Sequence, residues 1–326
     1  MTDWVLGALM RGGLLYADGF GGFDRLDDLV ERVRRYPGSE PPAELEIRWD
    51  GKARSVAGYR VRRGWFDTPM ADLLPSECKR GHVELLLPPD RRRGEQPPLC
   101  LLLAATAEEG YARRRLWASS LLRRGIGALL LENAFYGRRR PLGQRGPSLR
   151  TVADQFSMNL ATVDEARALL GWMRRAGYER VGVTGHSQGG MMSAFAAAVT
   201  PFAVAAVPRS AGSAAGPIFT TSALARAFHW ERLAGERGGL EEARQYFLEC
   251  LEPVDVSRHP PPHSTSAAIL VGARSDGFVP PEETEHLHRH WQGSELRWLD
   301  AGHVTSVLLH RRAQVRAVLD AFDRLP

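Results

Sequence analysis

Short runs of apolar residues alternate with helix-like segments over most of the chain. Such runs are typical of strands that are covered on both faces of a sheet. They begin with VELLLPP near residue 83 and recur at residues 99–106, 127–133, 180–185, 204–209, 267–276 and 295–300. Helical periodicity lies between them, over residues 111–124, 148–177, 281–291 and 304–322. This alternation predicts an α/β fold whose mostly parallel sheet is flanked by helices.

The ends of the longest predicted helix carry recognisable signals. Ser148 precedes the helical pattern and is the expected N-cap, and Gly177 follows it as the expected stop. The last pattern, over residues 304–322, predicts one closing amphipathic helix.

Two regions depart from the alternation. Residues 1–42 contain the amphipathic stretch FDRLDDLVERVRRY and are interpreted as an N-terminal helical lead-in, so that the main domain covers residues 43–326. Residues 211–265 are rich in Gly, Ser and Pro, with a helical piece around Leu240–Leu251. This stretch is too long for a plain crossover. It predicts a lid or cap inserted over the C-terminal edge of the sheet.

The segment VGVTGHSQGG places one serine between glycines where a strand meets a helix. Gly185-His186-Ser187-Gln188-Gly189 fits the pattern G-x-S-x-G, in which a strained turn exposes the serine Oγ as a nucleophile. The alternative is a serine that only caps a helix after a tight glycine turn. The strand before and the helix after the motif favour the nucleophile.

A serine nucleophile needs a base and an orienting acid, which in this strand–turn–helix context follow in the order acid, then histidine. His303 directly follows the last predicted strand, in LDAGHVTS, and Asp276 ends the segment ILVGARSD. Asp255 and Asp300 are less well placed, since one lies in the inserted region and the other on the strand before the base. We therefore predict the triad Ser187, Asp276 and His303.

An oxyanion hole needs two backbone N–H groups aimed at the reacting carbonyl oxygen. The first is expected from Gln188, immediately after the nucleophile. The second is expected from the loop after the strand at residues 99–106, with Thr106 and Ala107 as candidates.

Arginine dominates the positive charge of the chain. Of the 43 basic residues only Lys52 and Lys79 are lysines, and the net charge is +5. A base-composition bias of the genome explains such a preference, whereas clusters at residues 91–93, 113–115 and 138–140 suggest sites for anionic groups. No nucleic-acid motif accompanies them, so a role in binding DNA or RNA is not expected.

Neither a metal nor an organic cofactor is expected. His286 and His290 in HLHRH have helical spacing, but no acidic partner completes a metal motif, and they fit a solvated helix face. Cys78, Cys100 and Cys250 are odd in number and widely spaced, which suits a reducing compartment. The apolar run at residues 4–10 is a poor leader, and no stretch is long enough to span a bilayer. A cytoplasmic location is predicted; oligomeric state stays open.

Several segments resemble the α/β-hydrolase-domain proteins of type eighteen. They include LLLENAFYGRRRP (129–141), GYARRRLWASSLLRRG (110–125), GPIFTTSAL (216–224), FDTPMADLLP (66–75) and DAGHVTS (300–306). The match runs in order over roughly residues 20–325. Departures include His186 and Gln188 in place of Ile and Met beside the serine, Ala105 and Ala107 in place of glycines, and Ala134 in place of a proline.

The resemblance implies an α/β-hydrolase fold and a serine hydrolase with Ser187, Asp276 and His303 at the triad positions. It also implies a carboxylic ester as substrate, with a lipid ester as one candidate. Because the arginine runs at 113–115 and 138–140 lie in shared segments, we hypothesise that Arg138, Arg140 and Tyr136 contact substrate and that an arginine binds an anionic head group. The alternatives are a peptidase or thioesterase on the same triad, a non-catalytic binding protein, and a module that contacts a membrane surface.

Overall fold

The structure is a computed structural model that describes residues 3, 15–36, 40–89 and 96–326. The apolar run at residues 4–10 and the arginine run at residues 91–93 lie outside these residues.

The strands of the described residues form one mixed sheet. Their bounds are β1 Arg48–Trp49, β2 Arg54–Val56, β3 Tyr59–Asp67, β4 Arg80–Leu87, β5 Leu99–Leu103, β6 Gly127–Glu132, β7 Val181–His186, β8 Ala205–Arg209, β9 Ile269–Ala273 and β10 Glu295–Leu299. The order across the sheet is β1-β3-β4-β6-β5-β7-β8-β9-β10, and β2 pairs with β3. The six strands from β5 to β10 run parallel to one another, whereas β4 pairs with β6 in antiparallel fashion. The predicted mostly parallel sheet is confirmed.

Helices cover both faces of this sheet. Their bounds are α1 Phe23–Arg34, α2 Ala112–Leu122, α3 Val152–Arg175, α4 Gln188–Ala198, α5 Gly216–Thr220, α6 Trp230–Arg237, α7 Leu240–Leu251, α8 Pro281–His290, α9 His303–Leu309 and α10 Arg311–Asp323. Alternate residues of β5 point to opposite faces, as the pleat of a strand requires. Leu99, Leu101 and Leu103 pack with α3 and α4, whereas Cys100 and Leu102 pack with α2 and α10.

Two predicted helix boundaries need correction. The N-cap of α3 is Thr151 rather than Ser148, and its Oγ1 accepts a hydrogen bond from Asp154 N at 3.1 Å. The carbonyls of Leu149 and Arg150 accept hydrogen bonds from the backbone of residues 16–18, so the chain before Thr151 cannot be helical. The predicted closing helix is two helices, which His310 separates with φ −109° and ψ 25°.

Residues 211–265 carry helices α5, α6 and α7, with a 3₁₀ turn between α5 and α6 and two more after α7. An aromatic cluster joins this segment to residues before α1, because the ring of Phe247 lies 6.1 Å from Tyr16 and 6.4 Å from Phe20. The cap role of this segment, and the division at residue 42, remain predictions. Among the helices of the described ranges, none combines the length and apolar character needed to cross a bilayer.

Candidate active site

Ser187 lies directly between β7 and α4 in a strained conformation, with φ 57° and ψ −122°. The neighbouring glycines make this turn possible. A Cβ on Gly185 would lie 2.2 Å from the Gly189 backbone, and a Cβ on Gly189 would lie 2.6 Å from Leu103 O. Because a side chain in this region of φ is costly, such strain is expected where function requires it. The local geometry is that of a turn that holds a serine at the end of a strand.

Asp276 and His303 form a buried pair at the same edge of the sheet. Asp276 lies three residues beyond β9 and His303 is the first residue of α9, after β10. His303 Nδ1 lies 2.9 Å from Asp276 Oδ1 and 2.8 Å from Oδ2. Asp276 Oδ1 also accepts hydrogen bonds from the N–H groups of Phe278 at 2.9 Å and Val279 at 2.8 Å. The carboxylate is thereby fixed, and it orients the imidazole.

Ser187 and His303 line one cavity of about 270 Å³. Most of its lining side chains are apolar, and they come from distant parts of the chain. Helix α1 contributes Val33, helix α4 contributes Met191 and Phe195, and the segment 211–265 contributes Phe219 and Phe247. The structure therefore brings the predicted nucleophile and base to a common, largely apolar space.

The predicted oxyanion residues also lie at this cavity. Thr106, Ala107 and Gln188 are among its lining residues. Gln188 is the first residue of α4, so its N–H has no acceptor within the helix. Ala107 has φ 60°, a left-handed conformation that favours glycine. The family that the sequence resembles has glycine at position 107. Ala107 therefore keeps the turn at some cost in backbone strain.

A buried arginine holds the loop that carries Thr106 and Ala107. Arg114 donates to Leu102 O at 2.8 Å, to Leu131 O at 2.5 Å and to Gly110 O at 2.9 Å, and its Nε donates to Glu108 Oε1 at 3.0 Å. The other Glu108 oxygen accepts from Ala105 N at 3.2 Å. Arg114 thus ties the ends of β5 and β6 to the loop and is not free for substrate.

The structure does not bring Tyr136, Arg138 and Arg140 to the cavity, since none of them is among its lining residues. Tyr136 is fully buried, and burial raises its pKa to about 12. Arg140 forms an ion pair with Glu109, and Arg138 lies exposed. Substrate contact by these three residues therefore stays a prediction that their positions do not support.

Arg139, between them, is fully buried against Glu165 in a bidentate ion pair. Its Nη1 lies 2.8 Å from Oε2 and its Nη2 lies 2.5 Å from Oε1. The guanidinium also donates to Cys78 O and Glu132 O. The central arginine of the run is thus a structural tie.

Arg113 is the arginine that the described part of the chain contributes to the cavity. Its side chain is exposed, and no ion pair holds it among these residues. Of the two arginine runs for which an anion-binding group was hypothesised, the run at 113–115 contributes this residue to the cavity.

The side chains beside Ser187 are polar and buried in part. The ring of His186 lies 4.7 Å from that of His303. Burial, reinforced by the charges of His303, Arg209 and Arg113, holds the pKa of His186 well below its ordinary value. His186 is therefore a neutral neighbour of the base.

The Gln188 side chain is hydrogen-bonded to α3. Its Nε2 donates to Asn159 Oδ1 at 2.8 Å, and Gln155 Nε2 donates to the same oxygen at 2.9 Å. No signal in the sequence points to Asn159, because it lies within the long periodic pattern of α3.

The histidines of HLHRH each have a separate partner. His286 Nδ1 lies 2.9 Å from Ser213 Oγ, His288 Nδ1 lies 2.9 Å from Ser294 Oγ, and His290 Nε2 lies 2.8 Å from His259 O. They do not converge on one point, and within the described ranges no cluster of three metal-binding side chains occurs.

Asp3 is a site residue that the sequence does not reveal. It is buried, and its carboxylate accepts hydrogen bonds from the N–H groups of Gly277 and His303. The two partners His303 and Asp3 are 300 positions apart in the sequence, and no local motif surrounds Asp3.

Comparison with known proteins gives a family and a set of similar folds. The sequence model of the family described as Alpha/beta hydrolase domain containing 18 matches residues 14–239 and 234–324. Similar solved structures include the acetyl xylan esterase from Paenibacillus sp. R4, with 18% identity, TM-score 0.62, and coverage of 93% of this chain and 96% of that chain. Acetyl xylan esterase 1 from Thermoanaerobacterium sp. JW/SL YS485 has 18% identity, TM-score 0.58 and coverage of 90% and 93%. A puromycin-hydrolyzing peptidase of Mycobacterium tuberculosis has 14% identity, TM-score 0.57 and coverage of 84% and 48%.

Proposed function

Because the chain belongs to the Alpha/beta hydrolase domain containing 18 family, we propose that it is a serine hydrolase that cleaves a carboxylic ester. The α/β-hydrolase fold inferred from the sequence is confirmed, and it provides the frame for this chemistry. The observation that carries the proposal is the buried Asp276–His303 pair, whose imidazole lines the same cavity as the strained Ser187. In this proposal Ser187, His303 and Asp276 are nucleophile, base and orienting acid.

In the acylation half-reaction, Ser187 Oγ attacks the ester carbonyl carbon and its proton passes to His303 Nε2. Because Nδ1 is directed at Asp276, the neutral imidazole carries its proton there and leaves Nε2 free to accept. The oxyanion that forms receives hydrogen bonds from Gln188 N–H and from the loop of Thr106 and Ala107. The C–O bond to the alcohol then breaks, and the departing oxygen takes the proton from His303.

In the deacylation half-reaction, water attacks the acyl-enzyme carbonyl and gives a proton to His303. The bond from the carbonyl carbon to Ser187 Oγ breaks, the proton returns to Oγ, and the carboxylic acid leaves. Asp276 stabilises the imidazolium in both halves without becoming protonated. No metal or organic cofactor takes part in the proposed steps.

The lining of the cavity supports an apolar acyl group as the part of the substrate that is bound beside Ser187. The side chains of Met191, Phe195, Phe219 and Phe247 would contact such a group. A lipid ester is therefore our proposed substrate class. Residues 211–265 would act as the cap over it, and the cytoplasmic location remains a prediction.

A fluorophosphonate probe tests the nucleophile. We expect the wild-type protein to be labelled and Ser187→Ala to remain unlabelled while keeping its thermal unfolding temperature. Ser193→Ala is the matched control, since Ser193 lies on the same helix with its Oγ bonded to Gly190 O. Absence of labelling in the folded wild-type protein would sink the proposal.

Arg113→Ala tests the anionic group. If Arg113 pairs with a negative charge on the substrate, kcat/KM for an anionic ester should fall at least tenfold more than for a neutral ester of equal acyl length. Arg138→Ala is the control, because Arg138 lies outside the cavity lining. An equal loss on both esters would contradict this part of the proposal.

A further inference from the structure

The Asp3 carboxylate bridges two loops that carry different members of the proposed triad. Its Oδ2 accepts hydrogen bonds from Gly277 N at 3.0 Å and His303 N at 2.6 Å, and its Oδ1 accepts from Val304 N at 3.3 Å. The residue is 1% exposed. A buried carboxylate with three backbone donors is strongly fixed, because hydrogen bonds to a charged acceptor are stronger than those between neutral groups.

The two bridged segments are not adjacent in the sequence, because α8 and β10 lie between them. Gly277 directly follows Asp276 in the loop after β9, and His303 begins α9 after β10. Ser275 N donates to Ala301 O at 3.0 Å, which joins the two loops at one place. The Asp276–His303 contact itself depends on the spacing of these loops, and the carboxylate of Asp3 adds a second bridge at that place.

The backbone beside His303 leaves room for this carboxylate. A Cβ on Gly302 would lie 2.7 Å from Asp3 Oδ2. Gly302 has φ −89° and ψ −177°, an ordinary extended conformation, so the turn itself does not require glycine. A larger residue at position 302 would instead collide with the Asp3 carboxylate.

We propose that Asp3 is a positioning residue for the serine hydrolase proposed above. It holds the loop of Asp276 and the first residue of α9 at a fixed spacing, so that the His303 imidazole stays aligned with both Asp276 and Ser187. Asp3 is not among the residues that line the cavity, so it has no contact with substrate. Its loss should therefore reduce kcat and leave KM unchanged.

The test compares Asp3→Ala and Asp3→Asn with the wild-type protein on a p-nitrophenyl ester and with the fluorophosphonate probe. Misplacement of a catalytic group by about 1 Å can cost a factor of about 100 in rate. We expect kcat and the labelling rate of Ser187 to fall about 10- to 100-fold, with KM within twofold of the wild type. Asp323→Ala is the matched control, since its carboxylate is 77% exposed on the surface.

Rescue by a small anion separates positioning from a general structural role. Asp3→Ala leaves three N–H groups around an empty space that formate fits, so sodium formate should restore kcat at least fivefold where equal sodium chloride does not. Asp3→Asn keeps the size of the side chain and provides a variant that folds if Asp3→Ala does not. Formate should have no effect on Asp323→Ala.

Two sets of results would overturn the proposal. Wild-type values of kcat in both Asp3 variants would do so, as would a loss of activity that only follows the folded fraction and is insensitive to formate. Failure of the underlying function has a different signature, because the folded wild-type protein would then be neither labelled nor active.

Discussion

Single residues in the arginine runs differ sharply in their environments. Arg114 and Arg139 are buried ties, whereas Arg113 is exposed at the cavity. Part of this difference is present in the sequence, because Arg114 shares a helical face with Trp117, Ala118 and Leu121. For Arg139 no such signal exists, since its partner Glu165 lies on another element and only the fold brings them together.

The residues of the proposed triad show the same contrast between signals near in sequence and contacts distant in sequence. Ser187, Asp276 and His303 could be predicted because each follows a strand and because their order is restricted. Asp3 and Asn159 could not, since their contacts depend on how the chain returns to the site. The order of strands along the chain indicates which strand ends lie near the serine. It does not indicate side chains such as Asp3 and Asn159, which hydrogen-bond to the site residues from distant segments.

The Arg139–Glu165 pair allows a prediction about stability. Glu165→Ala would leave the guanidinium buried without its counter-ion, which should lower the free energy of unfolding by about 3–5 kcal/mol. Urea unfolding measures this loss. The control Asp72→Ala breaks an ion pair with Arg32 whose side chains are about half exposed, and it should cost no more than about 1 kcal/mol. Similar losses in the two variants would contradict the structural role of Arg139.

His82 allows a prediction about pH. Burial, with the nearby charges of Arg138, Arg139 and Arg80, lowers its pKa from 6.5 to about 4. Between these values the unfolded chain binds the proton more readily than the folded one, so stability falls as the pH drops from 6.5 towards 4. In His82→Leu the unfolding temperature should therefore fall less over this range than in the wild type. His263→Leu, which removes an exposed imidazole, is the control, and a slope equal to that of the wild type in His82→Leu would refute the assignment.

At the scale of elements, the sequence predicted strands better than helix ends. Each apolar run contains the corresponding observed strand of the parallel part of the sheet, except that β7 extends one residue beyond its run, to His186. The agreement is close because burial on both faces leaves few other patterns. A helix end depends on the hydrogen bonds of the neighbouring backbone, as at Thr151. The hydrophobic periodicity, by contrast, continues through a break such as that at His310. The break at His310 separates two helices with different positions in the fold. Helix α9 begins at His303, whereas α10 covers the face of the sheet opposite to α4.

The junction of β7 and α4 is the element-scale feature on which activity should depend most. A Cβ on Gly189 would lie 2.6 Å from Leu103 O and 2.7 Å from Ala104 O, which are backbone atoms at the start of the loop of Thr106 and Ala107. Gly189→Ala should therefore displace that loop. We expect a loss of about 1–3 kcal/mol in the free energy of unfolding and a fall of more than tenfold in kcat.

Gly235→Ala is the control for this substitution. Gly235 lies within α6, and a Cβ there would have nothing within 4 Å. Because alanine favours a helix more than glycine does, this variant should gain about 0.5–1 kcal/mol and keep its activity. An unchanged kcat in Gly189→Ala would show that α4 and the loop of Thr106 and Ala107 are not coupled.

At the scale of the whole molecule, the cavity is built from segments that are far apart in the sequence. Val33 and Tyr36 reach it from the N-terminal region, and Phe219 and Phe247 reach it from the inserted segment. The sequence indicated an insertion between two strands, but the path of this segment depends on aromatic packing with residues 16–23. The size and shape of this cavity are therefore properties of the assembled chain.

Phe247 is the residue at which this packing meets the cavity. It is 1% exposed, and its ring lies 5.9 Å from Phe219, 6.0 Å from Phe228 and 6.1 Å from Trp230. Phe247→Ala should cost about 3–5 kcal/mol in stability and leave a void that is continuous with the cavity. A longer or bulkier acyl group could then occupy the added space, whereas an acetyl group would gain nothing.

The expected outcome is a change in acyl preference. The ratio of kcat/KM for p-nitrophenyl octanoate to that for the acetate should rise at least fivefold in Phe247→Ala, measured at a temperature where the variant is folded. Leu248→Ala is the matched control, because the neighbouring side chain on α7 is 38% exposed and lies outside the cavity lining. A ratio equal to that of the wild type in a folded Phe247→Ala protein would mean that the acyl group does not extend under residues 211–265. The cap interpretation of that segment would then lose its physical basis.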